Sequence, residues 1–271
     1  MINLDAYFSR IGFGGEFAPT LSTLQALHQL HPASIPFENI DVLLDRDIDI
    51  DTRAVETKLV TQGRGGYCFE QNGFFLQVLR SMGFEVEPLI GRVMWMLPDD
   101  AVVPRTHMVL RVRVEDQWWL SDVGFGGLVL TRPLLFATDQ PQSTGHELFR
   151  VIPTPHGYRL EAHLNQRWQP VYQLSNEPQQ PVDFEVANWY TSKHPSSKFR
   201  HHLMLARATS DTRYTLLNNQ LTIREKEKEP VKKILSAAEL EKTLGGVFLL
   251  PVTDQWRSII ENAVSKSNPG T

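Results

Sequence analysis

The hydrophobic positions of this chain follow two different periods. Up to about residue 83, apolar residues recur every three or four positions, which places them on one face of an α-helix. Segments of this kind begin near Leu4, Leu24, Ala54 and Phe69, and Gly83 is the expected end of the last one. The pattern therefore predicts a largely helical N-terminal region.

From Phe84 the hydrophobic period changes to two, which is typical of β-strands. Glu115 and Asp116 separate two of the alternating segments and predict a short hairpin turn. The segments with strand character cover residues 86–96, 107–114, 117–123, 149–152, 158–163 and 168–174. Short strands at this density favour a β-barrel or a β-sandwich.

The last third of the chain mixes strand and helix patterns. A small meander is predicted over residues 206–209, 213–217 and 220–224. Ser236, with Glu239 three residues later, predicts a capped helix that ends at Gly245. A final helix is expected over residues 254–264, and the tail from Ser265 is expected to fray.

Composition and charge argue against several classes of partner. The 271 residues carry a formal net charge of −4, so no basic field is available for nucleic acid or an anionic membrane. A single cysteine rules out an intramolecular disulfide and suits a reducing compartment. The first residues lack the regions of a signal peptide, and no apolar run reaches the ~20 residues of a membrane helix. We therefore expect a soluble, cytoplasmic protein.

The cysteine at position 68 lies at the predicted start of a helix. It belongs to the segment Arg-Gly-Gly-Tyr-Cys-Phe-Glu-Gln-Asn at residues 64–72, whose two glycines allow a tight turn or a close approach to a ligand. The positive end of the helix dipole favours the thiolate form of Cys68, which a nucleophile requires. A lone cysteine is more often a small buried hydrophobe, so the catalytic interpretation depends on a base and an acid downstream.

His107 is the candidate base among nine histidines. It opens an apolar strand, where a side chain can reach a cleft, although the pattern alone is equally compatible with a core histidine. His28 and His31 are expected on a polar helix face, and the adjacent pair 201–202 would point in different directions. No group of three or four residues has the spacing of zinc ligands, so we expect no metal.

Asp122 ends the next predicted strand and is the candidate carboxylate. In the hairpin centred on Glu115 and Asp116, His107 and Asp122 lie at similar distances from the turn, so they are expected to be close across the two strands. Burying a lone aspartate is costly, whereas beside an imidazole it would fix the tautomer and the orientation of the ring. The alternative is a strand-end cap for the glycine turn that follows.

Cys68, His107 and Asp122 form a cysteine–histidine–carboxylate set in the order used by papain-like and transglutaminase-like enzymes. With several local motifs, this set resembles the arylamine N-acetyltransferase family over essentially the whole chain. The motifs are residues 64–72, Pro-Phe-Glu-Asn at 36–39, Asp-Val-Gly-Phe-Gly-Gly at 122–127, Asp-Gln-Pro-Gln at 139–142 and Ser-Ser-Lys-Phe at 196–199. Because the insertion that vertebrate members carry after the barrel is missing, the chain is most similar to the bacterial branch.

The resemblance implies an α+β fold with the papain-like cysteine-enzyme architecture. An N-terminal helical bundle carrying the nucleophile would occupy residues 1–83. A central antiparallel β-barrel carrying the histidine and the aspartate would occupy residues 84–190. A C-terminal α/β lid would occupy residues 191–271, and the three side chains would meet at the junction of the first two parts.

The resemblance also implies an acetyl transfer in two steps and a role in xenobiotic metabolism. Cys68 would take the acetyl group from acetyl-CoA, the co-substrate, and an arylamine, a hydrazine or an N-hydroxyarylamine would accept it while His107 takes its proton. Metal, nucleic acid and membrane partners are not implied. Two alternatives stay open: a transglutaminase-like or papain-like cysteine hydrolase, and a binding protein with a degenerate site.

The substrate pocket is also interpreted through the resemblance. Phe37 and Phe125 resemble family positions that line the acceptor and pantetheine pocket, although Phe37 could equally belong to the core. Three glycines would let the backbone approach the cofactor: Gly124, Gly126 and Gly127. Residues 103–106 read Val-Pro-Arg-Thr where some family members carry a Thr-Gly pair that contacts CoA, so this contact stays open. Arg64 and Glu38 are expected to form a structural pair near the cysteine.

Overall fold

The computed structural model describes residues 2–98 and 100–266 and has an α+β architecture. Its helices are α1 (Leu4–Ile11), α2 (Leu21–Ser34), α3 (Ile40–Leu43), α4 (Thr52–Glu56), α5 (Cys68–Ser81), α6 (Pro181–Lys193), α7 (Ala237–Gly246) and α8 (Arg257–Ser265). Its strands are β1 (Phe37–Glu38), β2 (Glu85–Val93), β3 (Arg105–Val114), β4 (Gln117–Ser121), β5 (Leu134–Leu135), β6 (Gln142–Ser143), β7 (Leu148–Thr154), β8 (Gly157–Leu164), β9 (Arg167–Leu174), β10 (Met204–Ala208), β11 (Thr212–Leu217), β12 (Gln220–Glu225) and β13 (Val231–Ile234). None of the helices in these ranges is long and apolar enough to cross a membrane.

Capped ends and shared apolar faces hold the N-terminal helices together. The Asn3 side chain accepts a hydrogen bond from the Ala6 N–H at 3.0 Å, and the Thr20 hydroxyl accepts one from the Thr23 N–H at 3.3 Å. The apolar face of α5 is fully buried against α1, α2 and β3, with Phe75 at its centre. The predicted helical region is therefore confirmed.

The eight-stranded antiparallel sheet forms a nearly closed barrel, with strand order β5-β4-β3-β2-β9-β8-β7-β6. Glu115 and Asp116 both have positive φ angles, 50° and 62°, which match the predicted hairpin turn between β3 and β4. Where β5 and β6 end the sheet, the Gln142 side chain bonds both the N–H and the carbonyl of Leu135, at 2.6 and 2.9 Å. Alternate residues of β3 face the barrel interior and α5, so this strand belongs to both cores.

The second sheet has five strands in the order β1-β10-β11-β12-β13, and α7 and α8 pack on one face. Its first strand comes from the N-terminal region, because Phe37 pairs with Ala206 and Glu38 with Leu205. The predicted meander is confirmed. The segment that precedes the nucleophile is thus anchored to the C-terminal part of the chain.

Several details differ from the sequence predictions. Helix α6 was missed, and the domain boundary predicted at residue 190 lies within it. Strand β13 was also missed, because all four of its residues are exposed and show no alternation. The stop predicted at Gly245 is wrong, since α7 continues to Gly246 and Val247 is its C-cap residue. The predicted fraying from Ser265 concerns mainly residues 267–271, which lie outside the described residues.

Candidate active site

Helix α5 begins at the cysteine itself. The N–H of Tyr67, the residue before the helix, donates to the Glu70 carboxylate at 3.0 Å, so the first turn is closed around Cys68. Cys68 is 4% exposed, and its thiol donates to the Thr106 carbonyl at 3.6 Å. Its sulfur therefore lies beside the start of β3, which leads to His107.

The two glycines before the cysteine serve close packing rather than a tight turn. A Cβ on Gly65 would lie 2.1 Å from the Pro36 carbonyl oxygen, and one on Gly66 would lie 2.7 Å from the Glu70 carboxylate. Neither space is open to a side chain. Segments 36–38 and 65–66 pair side by side here, so the glycines bring the nucleophile next to β1.

His107 and Asp122 are joined by a hydrogen bond of 2.7 Å between Nε2 and Oδ2. Both side chains are buried, at 2% and 0% exposure. Asp122 follows the last residue of β4 rather than ending the strand, but the register of the hairpin still brings it to the histidine. The predicted proximity of these two residues is confirmed.

The charges of this pair follow from its burial and its neighbours. Burial acts against the imidazolium, but the Asp122 carboxylate and then Cys68 outweigh it and raise the pKa of His107 to about 10. Burial also acts against the carboxylate, yet His107 and hydrogen bonds from Asn72 and Gly124 lower the pKa of Asp122. Since Asp122 occupies Nε2, the Nδ1 atom of His107 is the one available to the thiol.

Asn72, one helical turn after the cysteine, fixes the aspartate loop and was missed at the sequence level. Its Nδ2 donates to Asp122 Oδ1 at 2.9 Å and to the Met108 carbonyl at 2.7 Å, and its Oδ1 accepts from the Val123 N–H at 3.0 Å. Position 72 lies on the same face of α5 as position 68. That spacing was the available signal.

His28 and His31 are both 0% exposed, so their predicted place on a polar face is wrong. His31 lies between the Tyr7 hydroxyl at 2.9 Å and the Gln71 side chain at 2.5 Å, and His28 Nε2 accepts from the Asp122 N–H at 3.1 Å. Chiefly through burial, the pKa of His28 falls to about 3 and that of His31 to about 4. The helical spacing that buries Leu24 and Leu27 also places these histidines inside.

Two aromatic rings, those of Phe125 and Tyr172, pack against the imidazole of His107. The ring centre of Phe125 lies 5.1 Å and that of Tyr172 5.0 Å from the imidazole. Phe37 is half-buried, and its ring centre lies 6.0 Å from that of Phe199. A Cβ on Gly126 would lie 3.3 Å from the Phe37 ring. Tyr172 was missed at the sequence level, because its strand neighbours make it look like an ordinary core residue.

Gly124 packs against the nucleophile helix. A Cβ at this position would lie 2.9 Å from the Cys68 Cα and 2.9 Å from Asn72 Nδ2. Its missing side chain therefore lets the aspartate loop touch α5. Gly126 has a φ of +84°, and a Cβ on Gly127 would lie 3.5 Å from the Thr215 side chain. That the three glycines let the backbone approach CoA stays a prediction.

A buried network of charged side chains lies behind the cysteine. Arg64 contacts Glu38 at 2.7 Å and Asp41 at 3.2 Å, and Lys58 contacts Asp41 at 2.8 Å and Glu70 at 2.6 Å. The predicted Arg64–Glu38 pair is confirmed. Burial acts against the charge on Lys58, but the nearby carboxylates outweigh it and raise its pKa. Across residues 2–98 and 100–266, no three His, Cys, Asp or Glu side chains cluster in a way that could hold a metal ion.

Comparison with known proteins identifies the family of this chain. The sequence profile of a family described as N-acetyltransferase matches residues 20–257. The chain is 44% identical over 220 residues to the arylamine N-acetyltransferase of Escherichia coli strain K12, and the match covers 81% of this chain and 78% of that one. It is 42% identical over 220 residues to the arylamine N-acetyltransferase / N-hydroxyarylamine O-acetyltransferase of Salmonella typhimurium, again with coverage of 81% and 78%.

A solved structure of an arylamine N-acetyltransferase has the same fold as this chain. Mycobacterium marinum arylamine N-acetyltransferase in complex with CoA superposes with a TM-score of 0.92 at 37% identity, over 97% of this chain and 99% of that one. The overall fold, the sequence profile and the relatives agree over most of the chain. The chain therefore belongs to the arylamine N-acetyltransferase family.

Proposed function

We propose that this enzyme transfers the acetyl group of acetyl-CoA to arylamines, hydrazines and N-hydroxyarylamines through an acetyl-Cys68 intermediate. The observation that carries the proposal is the joint burial of Cys68, His107 and Asp122: His107 and Asp122 are 2.7 Å apart, and the Cys68 sulfur lies 3.6 Å from the carbonyl oxygen of Thr106, the residue before His107. The M. marinum structure contains CoA, which supports CoA as the acetyl carrier here as well. The proposal assigns one role to each of the three side chains.

The first half-reaction starts from a Cys68 thiolate beside a His107 imidazolium. The sulfur attacks the thioester carbonyl of acetyl-CoA, so a new C–S bond forms while the bond between the acetyl carbon and CoA sulfur breaks. The departing CoA sulfur takes the proton of the imidazolium and leaves as a thiol. Because one thioester replaces another, little driving force is needed, and His107 is left neutral.

The second half-reaction uses that neutral imidazole as a base. The amine nitrogen attacks the acetyl-Cys68 carbonyl, His107 takes the amine proton, and the C–S bond breaks to return a Cys68 thiolate. Asp122 stays ionised throughout and stabilises each imidazolium that forms. The starting pair is thus restored, and no water is consumed.

The acceptor and the pantetheine arm of CoA are proposed to lie against the rings of Phe37 and Phe125. The Phe125 ring is nearly perpendicular to that of His107, with 5.1 Å between the ring centres, and an aromatic amine there would meet both an apolar wall and the base. Gly126 and Gly127 are proposed to leave the backbone open to CoA. The name of the S. typhimurium relative supports N-hydroxyarylamines as a further class of acceptor.

Steady-state kinetics with both substrates varied tests this function. We expect parallel double-reciprocal lines, because CoA leaves before the acceptor reacts, and no turnover by the Cys68→Ala variant. A panel of an aminobenzoate, a hydrazide and an N-hydroxyarylamine would rank the acceptors. CoA release that no acceptor accelerates would contradict acetyl transfer and favour the cysteine hydrolase instead.

A further inference from the structure

The loop that carries Asp122 is held by side-chain acceptors on three consecutive N–H groups. The Asp122 N–H donates to His28 Nε2 at 3.1 Å, the Val123 N–H to Asn72 Oδ1 at 3.0 Å, and the Gly124 N–H to the Asp122 carboxylate at 3.0 Å. Of the three acceptors, only His28 comes from α2. It is therefore the only one that ties the loop to a helix other than the one carrying the nucleophile.

We propose that His28 is a positioning residue for the transfer reaction, which holds the Asp122 backbone so that its carboxylate reaches His107. The proposal rests on the triad assigned in the proposed function. His28 touches neither substrate nor the reacting atoms, and it acts through Asp122. What the reaction requires from this side chain is its Nε2 atom, which accepts the hydrogen bond from the Asp122 N–H.

The hydrogen bonds determine the tautomer of His28. Because Nε2 accepts from a backbone N–H, the ring proton must be on Nδ1, and a second proton on Nε2 would break the contact. The neighbouring charged or titratable groups are the Asp122 carboxylate, whose charge favours protonation, and His31 on the same helix, whose charge would oppose it. Burial outweighs both and lowers the pKa of His28 to about 3, so the accepting form persists at neutral pH.

The Nδ1 proton of His28 finds no hydrogen-bond acceptor within residues 2–98 and 100–266. A buried donor without an acceptor reduces stability, so the ring is not optimal for holding this part of the core. The His28 ring packs nearly perpendicular to that of Phe75 of α5, with 6.2 Å between the ring centres. The polar benefit of a histidine at this position lies in its contact with Asp122.

Three substitutions separate this acceptor role from simple packing. His28→Gln keeps an acceptor at about the distance of Nε2, whereas His28→Asn is polar but too short to reach the Asp122 N–H. His28→Leu retains the bulk and removes the acceptor. Leu27→Ala is the matched control. Leu27 precedes His28 in the sequence and is fully buried, so its truncation destabilises the same helix, while His28 still accepts from the Asp122 N–H.

The readout is the rate of Cys68 alkylation by iodoacetamide as a function of pH, with thermal unfolding measured on each variant. A displaced Asp122 stabilises the imidazolium less, so His28→Leu and His28→Asn should react about tenfold to 100-fold more slowly near pH 7, with midpoints at higher pH. His28→Gln should recover most of the rate and the wild-type midpoint. Leu27→Ala should lower the unfolding temperature and keep the wild-type pH profile.

Two results would overturn the proposal: a wild-type pH profile in His28→Leu, or a His28→Gln profile as impaired as that of His28→Asn. If His28→Leu does not fold, the Gln and Asn variants decide alone, because they differ mainly in reach. Alkylation requires no acetyl-CoA. A wild-type enzyme that is alkylated rapidly but never acetylated would therefore refute the proposed function while leaving the test of His28 intact.

Discussion

Two neighbouring side chains, one from before His107 in the sequence and one from after it, determine the charge of His107. Cys68 comes from the helix before it and Asp122 from the strand after it, and together they outweigh the cost of burying the imidazolium. Burial acts against the Asp122 carboxylate, but His107 and hydrogen bonds from Asn72 and Gly124 lower its pKa, so both members of the pair are charged. A buried ion pair of this kind is useful to a reaction that starts from thiolate and imidazolium.

The raised pKa of His107 predicts how stability depends on pH. Folding moves it from the ordinary value near 6.5 to about 10, so the folded state binds the proton more tightly than the unfolded chain. This contribution to the free energy of unfolding is complete below about pH 6.5 and is lost as the pH rises toward 10.

Urea unfolding of the wild type and of His107→Gln at several pH values measures this contribution. The difference between the two free energies of unfolding should be largest near pH 6 and should shrink steadily toward pH 10. Comparing the two proteins at each pH removes the titration of lysines and tyrosines that both share. A difference that is constant from pH 6 to pH 10 would show that His107 is not held as an imidazolium.

At the scale of elements, the start of α5 is set by contacts on both sides of the helix. The Asp122 loop packs against one side through Gly124, and the Arg64 and Lys58 network supports the other through Glu70. The position of Cys68 therefore depends on three parts of the structure: helix α5, the Asp122 loop and the charged network. A change in any of them should move the thiol without touching it.

Gly124→Ala tests the contact between the loop and α5. The new Cβ would lie 2.9 Å from the Cys68 Cα, so the loop must move and carry Asp122 away from His107. We expect a loss of about tenfold to 100-fold in kcat/KM. Gly73→Ala is the matched control, since its Cβ meets nothing within 4 Å; it should keep full activity and raise the free energy of unfolding by roughly 0.5–1 kcal/mol. Equal activity in both variants would refute this account of Gly124.

Lys58→Met tests the buried charges behind the nucleophile. The substitution leaves the buried Glu70 carboxylate without its ion-pair partner, whereas Asp41 keeps Arg64 at 3.2 Å, and a buried charge that loses its partner costs about 3–5 kcal/mol. Chemical denaturation should therefore show a large loss of stability. Lys228→Met, which removes an exposed ion pair with Glu225, should change stability little. Similar small effects in both variants would show that the network does not stabilise this region.

The elements that the sequence predicted well have local causes. Caps such as Thr20 and Ser236 and the hairpin turn at Glu115 and Asp116 depend on neighbours within a few residues. Helix α6 was not predicted, because its buried face includes Asn188, Thr191 and Ser192 while three apolar residues of the same helix are exposed: Val182, Val186 and Trp189. Its apolar periodicity is therefore inverted in part, and only its tertiary neighbours explain its position.

At the scale of the whole molecule, the site is built from parts that are distant in sequence. Asn39, just after β1, donates to the carbonyls of Phe199 and His202, and Arg207 of β10 donates to the Ala33 carbonyl of α2, so the C-terminal part of the chain is joined to the segments on either side of β1. These contacts span about 160 residues or more of sequence. Phe37, which lies between them, is held in place by the last third of the chain through its pairing with Ala206.

The candidate site could be predicted where one hairpin or one helix turn brings its residues together. His107 and Asp122 meet because a short turn separates their strands, and Cys68 could be recognised from its motif at a helix start. The contact between His28 and Asp122 joins residues 94 positions apart. The helical spacing with Leu24 and Leu27 could have shown that His28 is buried, but no local pattern encodes its contact with Asp122.

The central claim is that Cys68 carries the acetyl group between donor and acceptor. The most direct measurement is peptide mapping by mass spectrometry after a short incubation with acetyl-CoA in the absence of acceptor. We predict a single acetyl group on the peptide that contains Cys68, its loss when an arylamine is added, and no such modification in Cys68→Ala. An unmodified Cys68 peptide, or an acetyl group that persists after the arylamine is added, would contradict the account.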